Sequence, residues 1–410
     1  MSQMPPEPAV WQEIRGGRAP DQSSLSRVAD VGLALLGRGG VESVRDTLQT
    51  RLLGAGPLEP LLDTDGVTDV AVNGDGSVWV DRGNGMERAD VEIGGPVELR
   101  RLAVRLAGLA GRRLDETAPY VDGLLPSGVR LHAILPPLVG DGPHLTLRVP
   151  SRTALTLTDL LDRAMFSPDV SEVLQAVVRE RVAFVVTGGT GAGKTTLLAA
   201  MLGEAAAWER LVVVEDVREL RLVRPQVVRL EARSPNVEGV GEVTLTTLVR
   251  QALRMRPDRL VVGEVRGAEV RELLTALNTG HEGGCGTLHA NAAADVVARF
   301  EALGALAGLS PGAVHAQLAS AVRVVVHVGH VGHGLDRVRR LESIGVLVRE
   351  SGRLVVHDAL ASVDARTCRG PGWPALCQLL HLPARARAGN IDPGGKRPST
   401  GSADGLRSER

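Results

Sequence analysis

The feature that most constrains the fold is a glycine-rich segment in the middle of the chain, GGTGAGKTT at residues 188–196. It follows a short apolar run, VAFVVT at 182–187, and leads into a segment of helical character, KTTLLAAMLGEAAA. The segment matches G-x-x-x-x-G-K-[ST], in which glycines let successive backbone N–H groups point into one anion-binding hollow at a helix N-terminus. The sequence therefore predicts a strand, a phosphate-binding loop and a helix. The residues assigned to this loop are Gly188, Gly189, Thr190, Gly191, Ala192, Gly193, Lys194, Thr195 and Thr196.

Lys194 stands out because the chain otherwise uses arginine for positive charge. Only two of its 47 Lys and Arg residues are lysine, Lys194 and Lys396. An ammonium is a compact point charge, whereas a guanidinium is a planar fork that does not replace it in so tight a loop. We interpret Lys194 as the residue that contacts the β- and γ-phosphates of a nucleoside triphosphate, and Thr195 as a ligand of Mg²⁺.

The overall composition argues against several classes of protein. The net charge of −1 and the 2% of aromatic residues give no support for a nucleic-acid partner. Three cysteines without CxxC spacing do not predict a disulfide framework or a zinc site. The sequence shows no signal-peptide run and no apolar stretch of membrane-spanning length, so we expect a soluble, cytoplasmic protein.

Periodicity and turn residues divide the 410-residue chain into five predicted parts. The first contains two helices expected between residues 24 and 53, where apolar residues recur at helical spacing. The parts are a flexible start with a helical segment at 1–56, a small α+β domain at 57–149, a hinge at 150–158, an α/β domain at 159–360, and a C-terminal extension at 361–410 that is disordered after about residue 385.

The predicted fold class of the larger domain is α/β. Apolar runs that favour strands alternate with helical patterns, which indicates a largely parallel sheet covered by helices. An Arg-rich turn between 322–328 and 344–348 predicts a closing hairpin. The strand runs are 182–187, 211–216, 227–230 and 259–264, and the helical patterns are 244–255, 267–278 and 292–306.

Acidic residues end two of the predicted strands, where active sites of α/β proteins form. Glu215 ends one strand and Glu219 follows it closely, while Glu264 ends another. Further along, His281 and His289 lie in the glycine-rich segment NTGHEGGCGTLHAN. Two histidines eight residues apart suit either a metal pair or N–H donors to a phosphate. The second reading needs no additional ligands.

In order and spacing, four segments resemble the Walker A, Asp box, Walker B and His box of the type II/type IV secretion ATPases. They are GGTGAGKTT, VVEDVREL, LRMRPDRLVVGEVRGAE and NTGHEGGCGTLHAN. The stretches GRRLDETAPYVDGLLPSGVRLHAILPPLVGDGP and VVRLEARSPNVEGVGEVTLTTLVRQALRMRPDR are most similar to the tight-adherence (Tad/Flp pilus) branch. The resemblance covers about residues 57–350. It implies a RecA-like P-loop ATPase domain after a smaller α+β domain, a hexamer that uses ATP and Mg²⁺, and a membrane platform protein as partner.

The resemblance also implies a role for individual residues. It makes Glu215 and Glu219 the Asp-box acids, with Glu264 the Walker B base and a Mg²⁺ ligand beside Thr195. His281 and His289 become His-box residues. The arginines that would reach the nucleotide from the N-terminal domain are Arg148, Arg130 and Arg113. The chain departs from the family pattern in two places. After GHEG the family usually has a serine and another hydroxyl residue, whereas here Gly284 and Gly286 flank Cys285, and Val149 replaces the basic residue that usually follows the Arg148 position.

Other functions remain open at this stage. A P-loop kinase would need an acceptor pocket, for which the sequence gives no indication. A nucleotide-gated scaffold would bind ATP without turnover, and a DNA translocase would respond to single-stranded DNA. A metal site at His327, His330 and His333 has no acidic or cysteine partner in the sequence.

Overall fold

The computed structural model describes residues 54–83, 85–150, 154–233, 235, 240–280, 282–332, 338–363 and 366–383. Three predictions lie outside these residues, wholly or in part. They are the two helices between 24 and 53, the predicted hinge at residues 151–153, and the disorder after about residue 385. Within the described residues, no helix is both long and apolar enough to cross a membrane.

The N-terminal part contains a six-stranded antiparallel sheet in the order β3-β2-β1-β6-β5-β4. One long helix, α2, packs on it. The apolar residues of α2 recur every three or four positions at Leu99, Leu102 and Leu106, and these side chains join the core of this sheet. The elements are α1 (Glu59–Asp63), β1 (Asp69–Val72), β2 (Val78–Asp81), β3 (Met86–Ala89), α2 (Pro96–Leu109), β4 (Tyr120–Leu124), β5 (Arg130–Ile134) and β6 (His144–Arg148).

The larger part contains a nine-stranded sheet in the order β15-β14-β13-β12-β7-β11-β10-β8-β9. The six strands from β12 to β9 run parallel, and β12 to β15 form antiparallel pairs. The strands are β7 (Phe184–Gly188), β8 (Leu211–Glu215), β9 (Val227–Glu231), β10 (Arg259–Val265), β11 (Cys285–His289), β12 (Val324–Val331), β13 (Val338–Glu350), β14 (Arg353–Val363) and β15 (Arg366–Arg369).

Helices cover both faces of this sheet. Phe184 and Val186 of β7 join the core on one face and Val185 joins the core on the other, because successive side chains of a strand point to opposite faces. The predicted α/β fold class is therefore confirmed. The helices are α3 (Leu157–Asp162), α4 (Pro168–Arg179), α5 (Lys194–Gly203), α6 (Leu245–Ala252), α7 (Val270–Leu277), α8 (Val296–Leu306), α9 (Pro311–Ala321) and α10 (Trp373–Leu379).

Two predicted boundaries differ from the structure. The domain end at 360 falls inside β14, and the sheet continues through β15 to α10, whose Leu376 is fully buried in the core. This last hairpin is short and ends in a Gly-Pro-Gly turn, so its sequence resembles a tail. The predicted hinge also extends too far, since α3 begins at Leu157 after Thr156, whose side chain caps it.

All three cysteines are free thiols. Cys285 and Cys377 are buried, while Cys368 on β15 is half-buried. Burial raises the pKa of the Cys285 thiol to about 12, which makes it a neutral packing residue rather than a nucleophile.

Candidate nucleotide-binding site

The glycine-rich segment forms a loop between β7 and α5. Gly188, the last residue of β7, has φ 151°, and a Cβ there would lie 2.1 Å from the Val328 carbonyl oxygen of β12. Gly193 precedes α5 with φ 95°, in the left-handed region that glycine adopts without strain. The loop therefore depends on glycine at both ends, once for close packing and once for backbone conformation.

The side chain of Lys194 folds back over this loop. Its Nζ donates hydrogen bonds to the carbonyl oxygens of Gly188, at 3.1 Å, and Gly189, at 2.9 Å. Burial lowers the pKa of the ammonium, while the nearby carboxylates of Glu264 and Glu219 act in the opposite direction. A poorly hydrated cation is thus held where a phosphate would replace the carbonyl oxygens as its partner.

Glu215 ends β8 and is only 3% exposed. Its Oε1 accepts hydrogen bonds from the backbone N–H groups of Glu219, at 3.0 Å, and Leu220, at 2.8 Å. Its Oε2 is buried and has no hydrogen-bond partner among the described residues. Burial raises the pKa of this carboxyl, and the two backbone donors only partly offset it. Glu215 therefore presents one unpaired buried oxygen.

Glu264 lies near the end of β10, beside the strand that carries Glu215. The preceding residue, Gly263, has room for no side chain, because a Cβ there would lie 2.6 Å from Glu215 Cγ. Arg266 holds Glu264 in an ion pair of 2.6 Å and also reaches Asp216, at 3.4 Å. One arginine thus bridges the acidic segments that follow β8 and β10.

His289 lies at the end of β11, directly opposite Gly188 in the parallel pairing with β7. The same strand is anchored to β10 by the buried hydroxyl of Thr287, which donates to the Gly263 carbonyl oxygen at 2.6 Å. His289 therefore borders the loop on the side of the two glutamates. His281 lies outside the described residues.

The three arginines expected from the N-terminal domain behave differently from one another. Arg130 reaches the larger domain, where its NH1 donates to Glu219 Oε1 at 2.8 Å. Arg148 instead pairs with Asp69 of its own sheet at 3.0 Å, and Arg113 pairs with the nearby Asp115. Among these three, the contact between the domains is made by Arg130.

Two arginines near the loop were missed by sequence reasoning. Arg339 of β13 donates from Nε to the Gly191 carbonyl oxygen at 2.9 Å, and Arg266 bridges two acidic segments. The sequence showed only an Arg-rich turn and an arginine after a strand. No local pattern marks which of several arginines will fold against a loop about 150 residues away, so a structure was needed to identify them.

His327 is also part of the region beneath the loop. Its Nδ1 shares a hydrogen bond of 2.9 Å with the buried hydroxyl of Thr187, and its Nε2 lies 3.6 Å from Glu342. Burial lowers the pKa of His327, with Glu342 acting in the opposite direction. The ring thus lies beside β7, the strand that leads into the loop. His333 lies outside the described residues, and within the described part no group of three or more His, Cys, Asp or Glu side chains could hold a metal ion.

The donor atoms at the end of β7, β8 and β10 suit Mg²⁺, which prefers oxygen ligands and keeps several waters. Thr195 lies in the first turn of α5, and Glu264 and the unpaired Glu215 Oε2 supply carboxylate oxygens. Because Mg²⁺ bound with a nucleotide takes most of its ligands from phosphates and water, few protein ligands are needed.

The sequence pattern of the type II/IV secretion system protein family matches residues 51–333. This chain belongs to that family. A putative conjugal transfer protein of Mycobacterium tuberculosis (strain H37Rv) is 55% identical over 313 residues, which cover 75% of this chain and 88% of the relative. The conjugal transfer protein TrbB of Rhizobium radiobacter is 31% identical over 306 residues, which cover 73% of this chain and 89% of TrbB.

Solved structures of similar proteins include two named ATPases or motors. The VirB11 ATPase of the Brucella suis type IV secretion system, in complex with sulphate, is 28% identical and covers 70% of this chain and 94% of its own, with a TM-score of 0.38. The pilus retraction motor PilT with bound ADP is 21% identical and covers 70% and 80%, with a TM-score of 0.49. The family assignment therefore rests on sequence.

Proposed function

We propose that this protein is an ATP-hydrolysing motor that powers transport through a membrane-embedded secretion or conjugation machinery. The observation that carries this proposal is the grouping at one edge of the large sheet. There the phosphate-binding loop with Lys194 is bordered by His289 on β11, Glu264 on β10 and Glu215 on β8. A cation, a donor and two carboxylates around a phosphate loop are the parts that ATP hydrolysis requires.

Each residue has a distinct role in this proposal. Lys194 exchanges its carbonyl partners for the β- and γ-phosphates, and Glu264, positioned by Arg266, accepts a proton from the attacking water. His289 donates toward the γ-phosphate. Mg²⁺, held by Thr195 and Glu264, would neutralise the charge that develops on the phosphate oxygens. Glu215 supports the acidic side of the site from its buried position.

The contact between the two domains supports motor action. Arg130 joins the N-terminal sheet to Glu219, four residues after Glu215. Structural changes on ATP binding and hydrolysis at the phosphate-binding loop would be transmitted to the N-terminal domain through this ion pair. They would produce a rigid-body motion of that domain. We further propose that six copies form a ring, that the ring acts at the cytoplasmic face of a membrane through a platform protein, and that His281 completes the site.

Two transport processes that the ATPase could drive are supported by different observations. The resemblance of two sequence stretches to the tight-adherence branch supports pilus assembly or protein secretion. The names of the relatives from Mycobacterium tuberculosis and Rhizobium radiobacter support conjugal transfer. Stimulation of the ATPase by single-stranded DNA would favour conjugal transfer. No stimulation by DNA, together with capture of a pilus platform protein, would favour pilus assembly or protein secretion.

An ATPase assay on the purified chain tests the proposal. Lys194→Ala is expected to reduce turnover by about 100-fold or more, because a phosphate-binding charge is lost. Glu264→Gln removes the base but keeps the size of the side chain, so it is expected to slow turnover by about 100-fold while ADP affinity is retained. Tight ATP binding by the wild type without any turnover, even as a ring, would contradict a motor and indicate a nucleotide-gated scaffold.

A further inference from the structure

A buried polar pair lies in the large sheet directly before the phosphate-binding loop. His327 of β12 and Thr187 of β7 are opposite each other in the parallel pairing of these strands, and both side chains are buried. The ring Nδ1 and the hydroxyl share a hydrogen bond of 2.9 Å. Val185, Val325 and Leu288 nearby belong to the apolar core of the same face. Because an apolar pair would avoid the desolvation cost of these groups, the pair indicates a role beyond packing.

Two segments of the proposed site leave the sheet at this point and go to opposite faces. The phosphate-binding loop follows Gly188 and leads to α5, which packs in the core on one face. The segment after His289 leads to the buried Ala293 and to α8, which pack in the core on the other face. His327 points to this second face, as Val325 does two positions earlier on the same strand. The ring therefore lies where the two segments separate.

The second nitrogen of the ring has partners outside β7. Burial is the largest effect on the His327 ring and lowers its pKa, so the ring is neutral at pH 7. Nε2 lies 3.6 Å from Glu342 of β13. The backbone of Asn291 is a further hydrogen-bond partner of the ring and raises its pKa, as a carbonyl acceptor does. A neutral ring that donates to Asn291 from Nε2 accepts from the Thr187 hydroxyl at Nδ1.

One ring thus connects the two segments. Thr187 directly precedes Gly188, and Asn291 follows His289 by two residues. The two nitrogens of an imidazole have fixed directions, so both hydrogen bonds form together only when the segment after His289 is held at one distance from β7. The 3₁₀ turn Ala293–Asp295 that comes next packs against β12, β13 and β14, which holds the segment at its other end.

We propose that His327 is a positioning residue that fixes His289 relative to the phosphate-binding loop. It holds the segment after His289 against β7, through Asn291 on one side of the ring and Thr187 on the other. The proposal rests on the proposed function, since it concerns how the γ-phosphate donor of that site is oriented. With the segment released, His289 would face the γ-phosphate in only a fraction of the molecules, and the affinity for a triphosphate would fall by that fraction.

The test compares two nucleotides that differ at the γ-phosphate. Calorimetry on the full chain measures the affinities of ATPγS and ADP, and their ratio is the preference for the triphosphate. His327→Leu removes both hydrogen bonds of the ring and is expected to lower this preference about tenfold, with the affinity for ADP unchanged. His357→Leu is the matched control and is expected to keep the preference, since His357 of β14 pairs with Glu350 at 3.1 Å within the hairpin.

A double-mutant cycle separates positioning from general destabilisation. His289→Ala alone is expected to lower the preference at least as much as His327→Leu does, and combining the two changes is expected to lower it no further. His327→Gln keeps a donor and an acceptor on the side chain and is expected to retain most of the preference. Losses that multiply in the double variant would overturn the proposal, because His327 would then act independently of His289. A loss in His327→Gln as large as that in His327→Leu would overturn it as well.

An unchanged preference in His327→Leu, or an equal loss of affinity for both nucleotides, would overturn the proposal and leave the proposed function standing. Wild-type protein that binds neither nucleotide would overturn both. Should His327→Leu not fold, Thr187→Val decides the question. This change removes the hydroxyl at nearly equal side-chain size and is expected to lower the preference about threefold, whereas an unchanged preference would contradict the proposal.

Discussion

At the scale of single residues, the site places its charges where water hydrates them poorly. Lys194 is 9% exposed and Glu215 is 3% exposed, yet within the part of the chain that the structure describes neither forms a direct pair with an opposite charge. Their partners are backbone groups, which satisfy hydrogen bonds but do not cancel charge. Such residues weaken the fold and favour a ligand that brings the missing charge, which is how functional sites commonly differ from cores.

The pH dependence of stability tests the burial of Glu215. Since burial raises the pKa of this carboxyl in the folded state, the folded protein binds the proton more tightly than the unfolded chain does. The free energy of unfolding therefore falls as the pH rises through that pKa. Glu215→Gln removes this loss, so its melting temperature relative to the wild type is expected to increase from pH 4.5 to pH 8.

Thermal denaturation across this pH range is the measurement. Glu87→Gln changes an exposed carboxylate on β3 and is the control, measured beside Glu215→Gln at each pH. A melting-temperature difference for Glu215→Gln that stays constant between pH 4.5 and pH 8 would contradict the assigned burial cost. Loss of ATPase activity alone would not, because that loss belongs to the proposed function.

At the scale of elements, the phosphate-binding loop depends on how closely β7 and β12 approach each other. A Cβ at Gly188 would lie 2.1 Å from the Val328 carbonyl oxygen, whereas a Cβ at Gly189 meets no atom within 4 Å. Two adjacent glycines of one motif thus have different structural roles. Gly188 allows two strands to pack. Gly189 lies in the loop, and its carbonyl oxygen accepts a hydrogen bond from Lys194.

Gly188→Ala is expected to destabilise the fold by about 2 kcal/mol or more, because a methyl group must separate the two strands and the residue has a positive φ. For a domain of about 200 residues this lowers the melting temperature by about 4–8 °C. Gly189→Ala is the neighbouring control and is expected to leave the melting temperature within about 1 °C. Equal effects of the two changes would show that strand packing is not the role of Gly188.

The elements of the α/β domain were predictable because each has a local signal. Short apolar runs predicted β7, β8 and β10, and the glycine motif predicted the loop between β7 and α5. The hairpin beyond residue 360 was missed because its strand β15 has only four residues and polar ends. The contacts of His327 with Thr187 and of Arg339 with Gly191 depend on strand register, which no local pattern encodes.

At the scale of the whole molecule, one partly exposed ion pair connects the two sheets at the site. The 2.8 Å contact between Arg130 and Glu219 joins β5 of the small sheet to the segment after β8 of the large one. A pair with this exposure contributes at most about 1 kcal/mol to stability. In the proposed function its importance therefore lies in the positive charge that Arg130 brings to the proposed nucleotide site, and not in how firmly the pair holds the domains together.

Arg130→Ala is accordingly expected to reduce the turnover number of the ATPase by about tenfold or more, with little change in melting temperature. Arg148→Ala is the matched control, because Arg148 pairs with Asp69 inside its own sheet and is expected to keep most of the activity. Steady-state kinetics on both variants is the measurement. A larger loss for Arg148→Ala would show that the resemblance to the secretion ATPases, and not the contact in this structure, identifies the acting arginine.

The distribution of the three thiols determines where a label can be attached to the native chain. Cys285 and Cys377 are buried and burial raises the pKa of both thiols, so neither reacts readily with thiol reagents. Cys368 is half-buried on β15, the strand at one edge of the large sheet. A fluorophore attached to this native cysteine would therefore report on that edge of the larger domain without introducing a new attachment point.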